Sequence, residues 1–346
     1  MLHPMLIGIQ EKRTRAFLTL KTTLKYLKAL QMKGLDSMSD TILRQANNKV
    51  ECVGLLKAKE LKYSDNNERI YGYVVISTDQ GSDHSISISA SRTKKDGSLA
   101  KSYPNIAAFM ANAVSIAELL KQGKSKEEAE AACSRVAVSQ CQLEVNDYCD
   151  RTGQLTSRQQ VRAGFLTQLD PIKPFHPVAA FDVECFIDAI SMETKDGEST
   201  GRLKVKAWIP GNSGRIIPFD FFVDASIADD FISVYTPKSS GNLWGQMVNT
   251  VNVTVTHKQG IGSAKEERTT NAVHEFVVTG ASEPYEEDST KAFPLEAVQK
   301  AVQVRINETL PQIEANFKTK QQKATAAGSF NRPATAPANP VENFQV

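Results

Sequence analysis

No stretch of this 346-residue chain approaches the ~18–20 consecutive apolar residues that cross a bilayer as a helix. With 41% hydrophobic and 23% charged residues, the composition predicts a soluble globular protein that makes no use of a membrane. Cysteine is sparse. The five, Cys52, Cys133, Cys141, Cys149 and Cys185, are odd in number and form no C-x-x-C pair, which argues against a disulfide framework or a zinc ribbon. Buried free thiols in a reducing cytoplasm are expected instead. The five histidines, His3, His84, His176, His257 and His274, are scattered, with no second ligand at metal spacing, so no metal or other cofactor is expected.

Catalytic motifs are missing as well. GKSK at 123–126 imitates the end of a phosphate-binding loop, but Glu118 stands where that loop needs glycine, and Gly123 reads as a helix C-cap. GNSGR at 211–215 lacks nucleophile-elbow spacing, and GIGSA at 260–264 has no strand-to-helix context for a dinucleotide. A non-enzyme is the expectation. Charge of one sign is also lacking: the whole chain carries only +2. Residues 1–37 hold seven Lys/Arg against two acids, so the rest is net acidic by about three charges on the same count. Binding to nucleic acid therefore has to be argued from local patterns.

The basic stretch itself, with Leu18, Leu20, Leu24, Leu27 and Leu30 at helix-like positions, reads as an amphipathic helix, a targeting segment or translated leader. Lys33-Gly34 can be encoded by AAAGGA, a ribosome-binding sequence, and Met38 follows at the right distance. A functional start at Met38 is one expectation. Residues 1–45 are taken as an N-terminal basic extension.

What the chain does have is a repeated order of elements. VEC occurs at 50–52 and again at 183–185. After the first come three strand-like runs separated by SDNN and DQGSD, then the helical stretch YPNIAAFMANAVSIAELLKQ, a second helix-like piece SKEEAEAAC, and two more strand-like runs. After the second, FDVECFIDAISMET, STGRLKVKAWIPG and RIIPFDFFVD are followed by the helical ASIADDFISVY and two further strands. Strand-strand-strand-helix-strand-strand, read twice, predicts a mainly β protein of two tandem five-stranded OB-fold-like barrels with helical insertions. The boundaries are 46–170 and 179–285, with the proline-bearing LDPIKPFHPVA supplying a linker at 171–178.

On VGLLKAKELKY and IYGYVVIST in the first half, and FDVECFIDAI, TGRLKVKAWIP and GNLWGQMVN in the second, the chain resembles single-stranded DNA-binding OB-fold proteins. The resemblance is particularly to the tandem-barrel type carried by bacteriophages of Gram-positive hosts. The likeness covers roughly residues 47–285. It implies binding of single-stranded DNA in phage-type replication or recombination, in the cytoplasm of a bacterial host.

Alternation then sorts candidate binding residues by face. In GRLKVKAWI, Leu203, Val205, Ala207 and Ile209 take one side, and Arg202, Lys204, Lys206 and Trp208 the other. Cations for phosphates and a ring for base stacking are what a single-strand site needs; the competing reading is a solvated basic strand with one exposed ring. In ERIYGYVVIST, Ile70, Val74 and Ile76 oppose Arg69, Tyr71 and Tyr73. The two tyrosines are either a stacking platform or ordinary strand tyrosines beneath a helix. Ser85, Ser87, Ser89 and Ser91 line the outer side of the third strand, and Arg92, Lys94 and Lys95 follow in a turn suited to phosphate contact or simply to solvent. Trp244 shares a face with Gln246, Thr250 and Asn252, as a second stacking position or as packing under the linker. Phe219 and Phe221 read as core. Glu283, Glu286, Glu287 and Asp288 form either a solvated acidic loop or a competitor for the basic face.

Residues 286–320 predict a helical segment for docking or oligomer formation, with Leu295, Val298, Val302, Ile306 and Leu310 near helical spacing and an interruption around Pro311. Residues 321–346, rich in Ala, Pro and Asn, predict a disordered tail. The tip carries Val341, Phe344 and Val346 and is similar in layout to tails that present replication or recombination partners, although Glu342 is its one acid. The competing function is a protein-binding or assembly module that uses the same barrels without nucleic acid; the near-neutral charge favours it.

Overall fold

The computed structural model describes residues 43–79, 82–195, 197–258 and 265–326. The expected start at Met38 and the tail tip at Val341, Phe344 and Val346 lie outside the described residues, as does GIGSA at 260–264.

From Asn48 the chain alternates apolar and polar residues long enough to commit it to a strand. β1 (Asn48–Tyr63) turns Val50, Cys52 and Leu56 inward and Glu51 outward. β2 (Arg69–Asp79) and β3 (Ser82–Ser91) extend the meander, and three helices, α1 (Ser102–Asn112), α2 (Ile116–Lys121) and α3 (Lys126–Ala132), lead to β4 (Arg135–Cys149) and β5 (Leu155–Gln168). β1 pairs antiparallel with β2 and β4, β2 with β3 and β4 with β5, while β3 runs parallel to β5 over Ile86–Ile88 and Val161–Ala163. The circuit closes into an OB-type barrel. β1 can serve two neighbours because its ladder with β2 carries a bulge between Leu56 and Ala58 and passes Gly72, at φ +141°. A Cβ there would stand 1.9 Å from the Glu60 carbonyl oxygen, so only glycine fits.

The expected long helix over 103–122 is in fact two. Ser115 caps α2, accepting from the Glu118 N–H while the Glu118 carboxylate accepts from the Ser115 N–H; Ser125 and Glu128 repeat the device at the start of α3. Both Ser-x-x-Glu pairs are legible in the sequence, and a local cap outweighs the helical periodicity around it. Asn105 of α1 fixes the helices to the barrel by bonding both the N–H and the carbonyl of Leu166 on β5.

The second half repeats the circuit with β6 (Val178–Lys195), β7 (Glu198–Pro210), β8 (Ile216–Val223), the short α4 (Ala228–Val234), β9 (Ser240–Lys258) and β10 (Lys265–Ala281). β6 pairs with β7 and β9, β7 with β8, β9 with β10, and β8 runs parallel to β10 at Phe222 and Val223. The two VEC segments are more than copies. Asn48 to Val53 of β1 pairs antiparallel with Val178 to Val183 of β6, so the strands that open the barrels also join them, and all ten strands belong to one sheet. Cys52 and Cys185 are both fully buried. All five cysteines are free, and burial pushes the Cys52 thiol up to about 12.

One apolar core runs through both barrels. Phe219 and Phe221 belong to it, with ring centroids 5.0 Å apart, and Phe276 stands edge-on to Phe219 at 4.8 Å. After β10, α5 (Leu295–Val304) buries Ala297, Val298 and Ala301; the chain then makes a π-turn over Arg305–Thr309 and continues as α6 (Leu310–Ala326). The interruption expected around Pro311 therefore precedes the proline, and the helix runs on. A wider turn relieves the clash that the Pro311 ring would make with the carbonyl four residues back. No helix among the described residues is long and apolar enough to cross a membrane.

Candidate nucleic-acid interface

The outer face of the first barrel is built by strand register. Arg69, Tyr71 and Tyr73 on β2 stand directly opposite Ser91, Ser89 and Ser87 on β3, and Ile70, Val74 and Ile76 of the same strand are fully buried. A row of rings thus lies beside a row of small hydroxyls. Arg69 donates to Ser89 Oγ at 2.6 and 2.9 Å, and Lys62 of β1 places its ammonium 5.2 Å from the Tyr71 ring centroid. Tyr71 remains 37% exposed. Burial, and then the Glu60 carboxylate opposite it on β1, raise the Tyr73 hydroxyl above its ordinary range. The turn with Arg92, Lys94 and Lys95 is exposed and follows Ser91, at the Arg69 end of this face; Arg92 lies 3.9 Å from Glu68.

The second barrel's basic strand is less free than its alternation implies. Leu203, Val205, Ala207 and Ile209 do point inward. On the outer side Arg202 bonds Glu275 of β10 at 2.7 Å and lies 3.3 Å from Glu193 of β6, with its guanidinium 4.6 Å from the Phe222 ring. Lys204 pairs with Asp220 of β8 at 3.1 Å. Lys206 is exposed, whereas Trp208 is half-buried and packs on the core between Phe186 and Pro218. The alternation predicts three free cations; two are already neutralised, because their acids sit on neighbouring strands. Trp244 is 41% exposed, and one side of its indole lies over Gly280, where a Cβ would come within 2.3 Å of Nε1. Glu283, Glu286, Glu287 and Asp288 are exposed.

Residues that the strand patterns did not single out complete the picture. A cleft of about 960 Å³ lies between the outer face of the first barrel, the β9–β10 pair and the C-terminal helices. Arg69, Tyr71 and Tyr73 line one wall, Tyr148, Arg158 and Arg162 of β4 and β5 line the next, and Arg215, His274 and Phe276 face them from the second barrel. Glu144, buried at the cleft floor, lies 3.3 Å from Arg162 and 3.9 Å from Arg215. Thr309 and Ile313 form the helical edge.

A polar chain locks the barrels beside this cleft. His84 of β3 is buried, with Nε2 3.0 Å from Thr78 Oγ1 and Nδ1 3.0 Å from Asn249 Nδ2; Asn249 Oδ1 is 2.8 Å from His274 Nδ1. The amide donates to His84 Nδ1 and accepts from His274 Nδ1–H, an arrangement that needs a neutral His84. Burial pushes the His84 pKa down to about 4, with Asp83 opposing and His274 adding to the shift. Between pH 6.5 and 4 the unfolded chain takes up a proton that the native state refuses, so stability falls as pH drops through that window, by about 3 kcal/mol for this group. Urea unfolding at pH 7, 5.5 and 4 should show that loss in the wild type and a shallower one in His84→Gln. Equal slopes would remove His84 as the cause.

The strand pairing defines a tandem OB-fold protein of two five-stranded barrels joined edge to edge. The chain belongs to the YorF family, whose model matches residues 46–316. No curated protein matches it. Among solved structures it is similar to the wild-type single-stranded DNA binding protein from Thermus aquaticus, at 11% identity and a TM-score of 0.42, covering 71% of this chain and 97% of that one. A deletion mutant of that protein is similar at 13% identity and a TM-score of 0.39, covering 71% and 98%. The barrel assignment stands on this chain's own strand pairing.

Proposed function

We propose that this protein binds single-stranded DNA with little sequence preference and without a catalytic step. The observation that carries the reading is the row Arg69, Tyr71 and Tyr73 beside the β3 serines, on the strand 2 and 3 face that OB-folds use for oligonucleotides. Exposed rings offer a π-face to any base, small hydroxyls let a backbone approach, and the cations at the same edge take phosphates. Arg92, Lys94 and Lys95 extend that edge, and Lys206, Trp208 and Trp244 are further contact points on the second barrel, where Arg202 and Lys204 would first have to leave their carboxylates. The sequence resemblance to tandem-barrel phage proteins supports a place in phage-type replication or recombination, in the cytoplasm of a bacterial host. Recruitment of a replication or recombination protein through Val341, Phe344 and Val346, and self-association through the C-terminal segment, belong to the same reading.

Fluorescence anisotropy of a labelled oligo-dT tests the reading, with a duplex of equal length as competitor. Tight binding that the duplex does not displace is expected. Absence of binding at low salt would leave the assembly-module reading in its place.

A further inference from the structure

From the walls of the inter-barrel cleft we infer that both barrels grip one and the same stretch of single strand, with Arg158 of the first barrel and Arg215 of the second as phosphate contacts. The inference rests on the single-strand reading above and gives it a route. Two separate faces, one per barrel, are what two OB folds in series would suggest. The geometry is different: the first barrel's ring row lines a cleft whose other side is supplied by β9–β10 of the second barrel.

The chemistry of the cleft fits a polyanion with planar bases. Arg69, Arg158, Arg162 and Arg215 line it, against the two carboxylates Glu144 and Asp147. Asp147 is spent on Arg305, which binds both of its oxygens at 2.6 and 2.7 Å. Glu144 lies between Arg162 and Arg215, one from each barrel, and so holds two cations at the cleft floor rather than cancelling an exposed pair. Arg215 is 56% exposed there, free to turn toward a phosphate. Arg158 is exposed and close enough to His274 on the opposite wall to lower its pKa, after burial has done the larger part. Tyr148, 38% exposed, adds a ring on the β4 side to the tyrosines of β2. Ser89 and Arg162 also line a groove along the β1–β6 junction, where Lys49 stands with Glu51 and Asp182.

The test uses the full chain and a short labelled oligo-dT titrated across salt. Arg158→Glu and Arg215→Glu should each weaken binding about tenfold or more and make the slope of log K against log salt shallower by about 0.7, the value of one phosphate contact on a single strand. Lys124→Glu makes the same charge change on an exposed residue outside the cleft and serves as the control. Variants that bind like Lys124→Glu would overturn the shared track while leaving single-strand binding intact; a wild type that binds no oligo would fell the function and the track together. Photocrosslinking with 5-iodo-deoxyuridine keeps the test independent of any folding defect. Adducts on wild-type peptides holding Tyr71 or Tyr73 and on those holding Phe276 from one short oligonucleotide are expected. Adducts confined to one barrel would contradict the inference.

Discussion

Replacing Tyr71 and Tyr73 together by alanine should weaken oligo-dT binding by about a hundredfold or more, with little change in the urea midpoint. Stacking contributes ~1–3 kcal/mol per base by alanine substitution, and each tyrosine presents one ring on the outer side of β2. Their inward neighbours Ile70 and Val74 carry the packing, so truncating the outer rings leaves the core intact. Tyr71→Phe with Tyr73→Phe separates stacking from hydrogen bonding: the rings remain, and most of the affinity should remain with them. Tyr71 also holds the Lys62 ammonium near its face, so losing the ring removes an ordered cation from the same edge. An unchanged Kd in the double alanine variant would mean that the face on β2 is not where bases lie.

Cutting the ion pair between α5–α6 and the first barrel should be the most destabilising single change outside the apolar core. Arg305 and Asp147 are joined through both carboxylate oxygens, with side chains 10% and 7% exposed, and Ser157 Oγ donates to Asp147 at 2.6 Å. Asp147→Ala strands a buried guanidinium, which costs about 3–5 kcal/mol. The double variant Asp147→Leu with Arg305→Met replaces the charges by apolar volume and should recover most of that loss. Exposed pairs such as Lys126 with Glu130, at 4.0 Å, contribute at most ~1 kcal/mol. The Arg305 pair, unlike these, is buried and fastens the C-terminal helical segment to the first barrel. The π-turn that carries it hands the chain from the second barrel's α5 to the first barrel's β4, and sets Thr309 and Ile313 at the edge of the cleft. If Asp147→Ala lowers stability by less than ~1 kcal/mol, the value of an exposed pair, the C-terminal helices do not bind the first barrel in this way.

Much of this fold can be read from the chain, for physical reasons that also mark where reading stops. Period-two alternation places Val205 and Ile209 inside and Lys206 outside without any knowledge of neighbours, since side-chain direction in a strand is a local property. The repeated strand-helix order needs only turns and periodicity. Salt bridges are different. Arg202 meets Glu275 and Lys204 meets Asp220 because β7, β8 and β10 come together around a barrel, and no pattern within GRLKVKAWI contains that. The cleft is more remote still, since it depends on β1 pairing with β6. Part of it is nevertheless visible: SRQQVRAG alternates Arg158, Gln160 and Arg162 on one side of a strand, a cationic row that lacks only an aromatic to draw the eye. Arg215 sits just past a turn and carries no such signal.

The salt dependence of oligo-dT binding by the full-length protein tests the central claim most directly. A phosphate track lined by arginines predicts log K falling linearly with log salt, with a slope of about −0.7 for each phosphate contacted on a single strand and about three or more contacts in all. A slope near zero, or no binding at low salt, would contradict it.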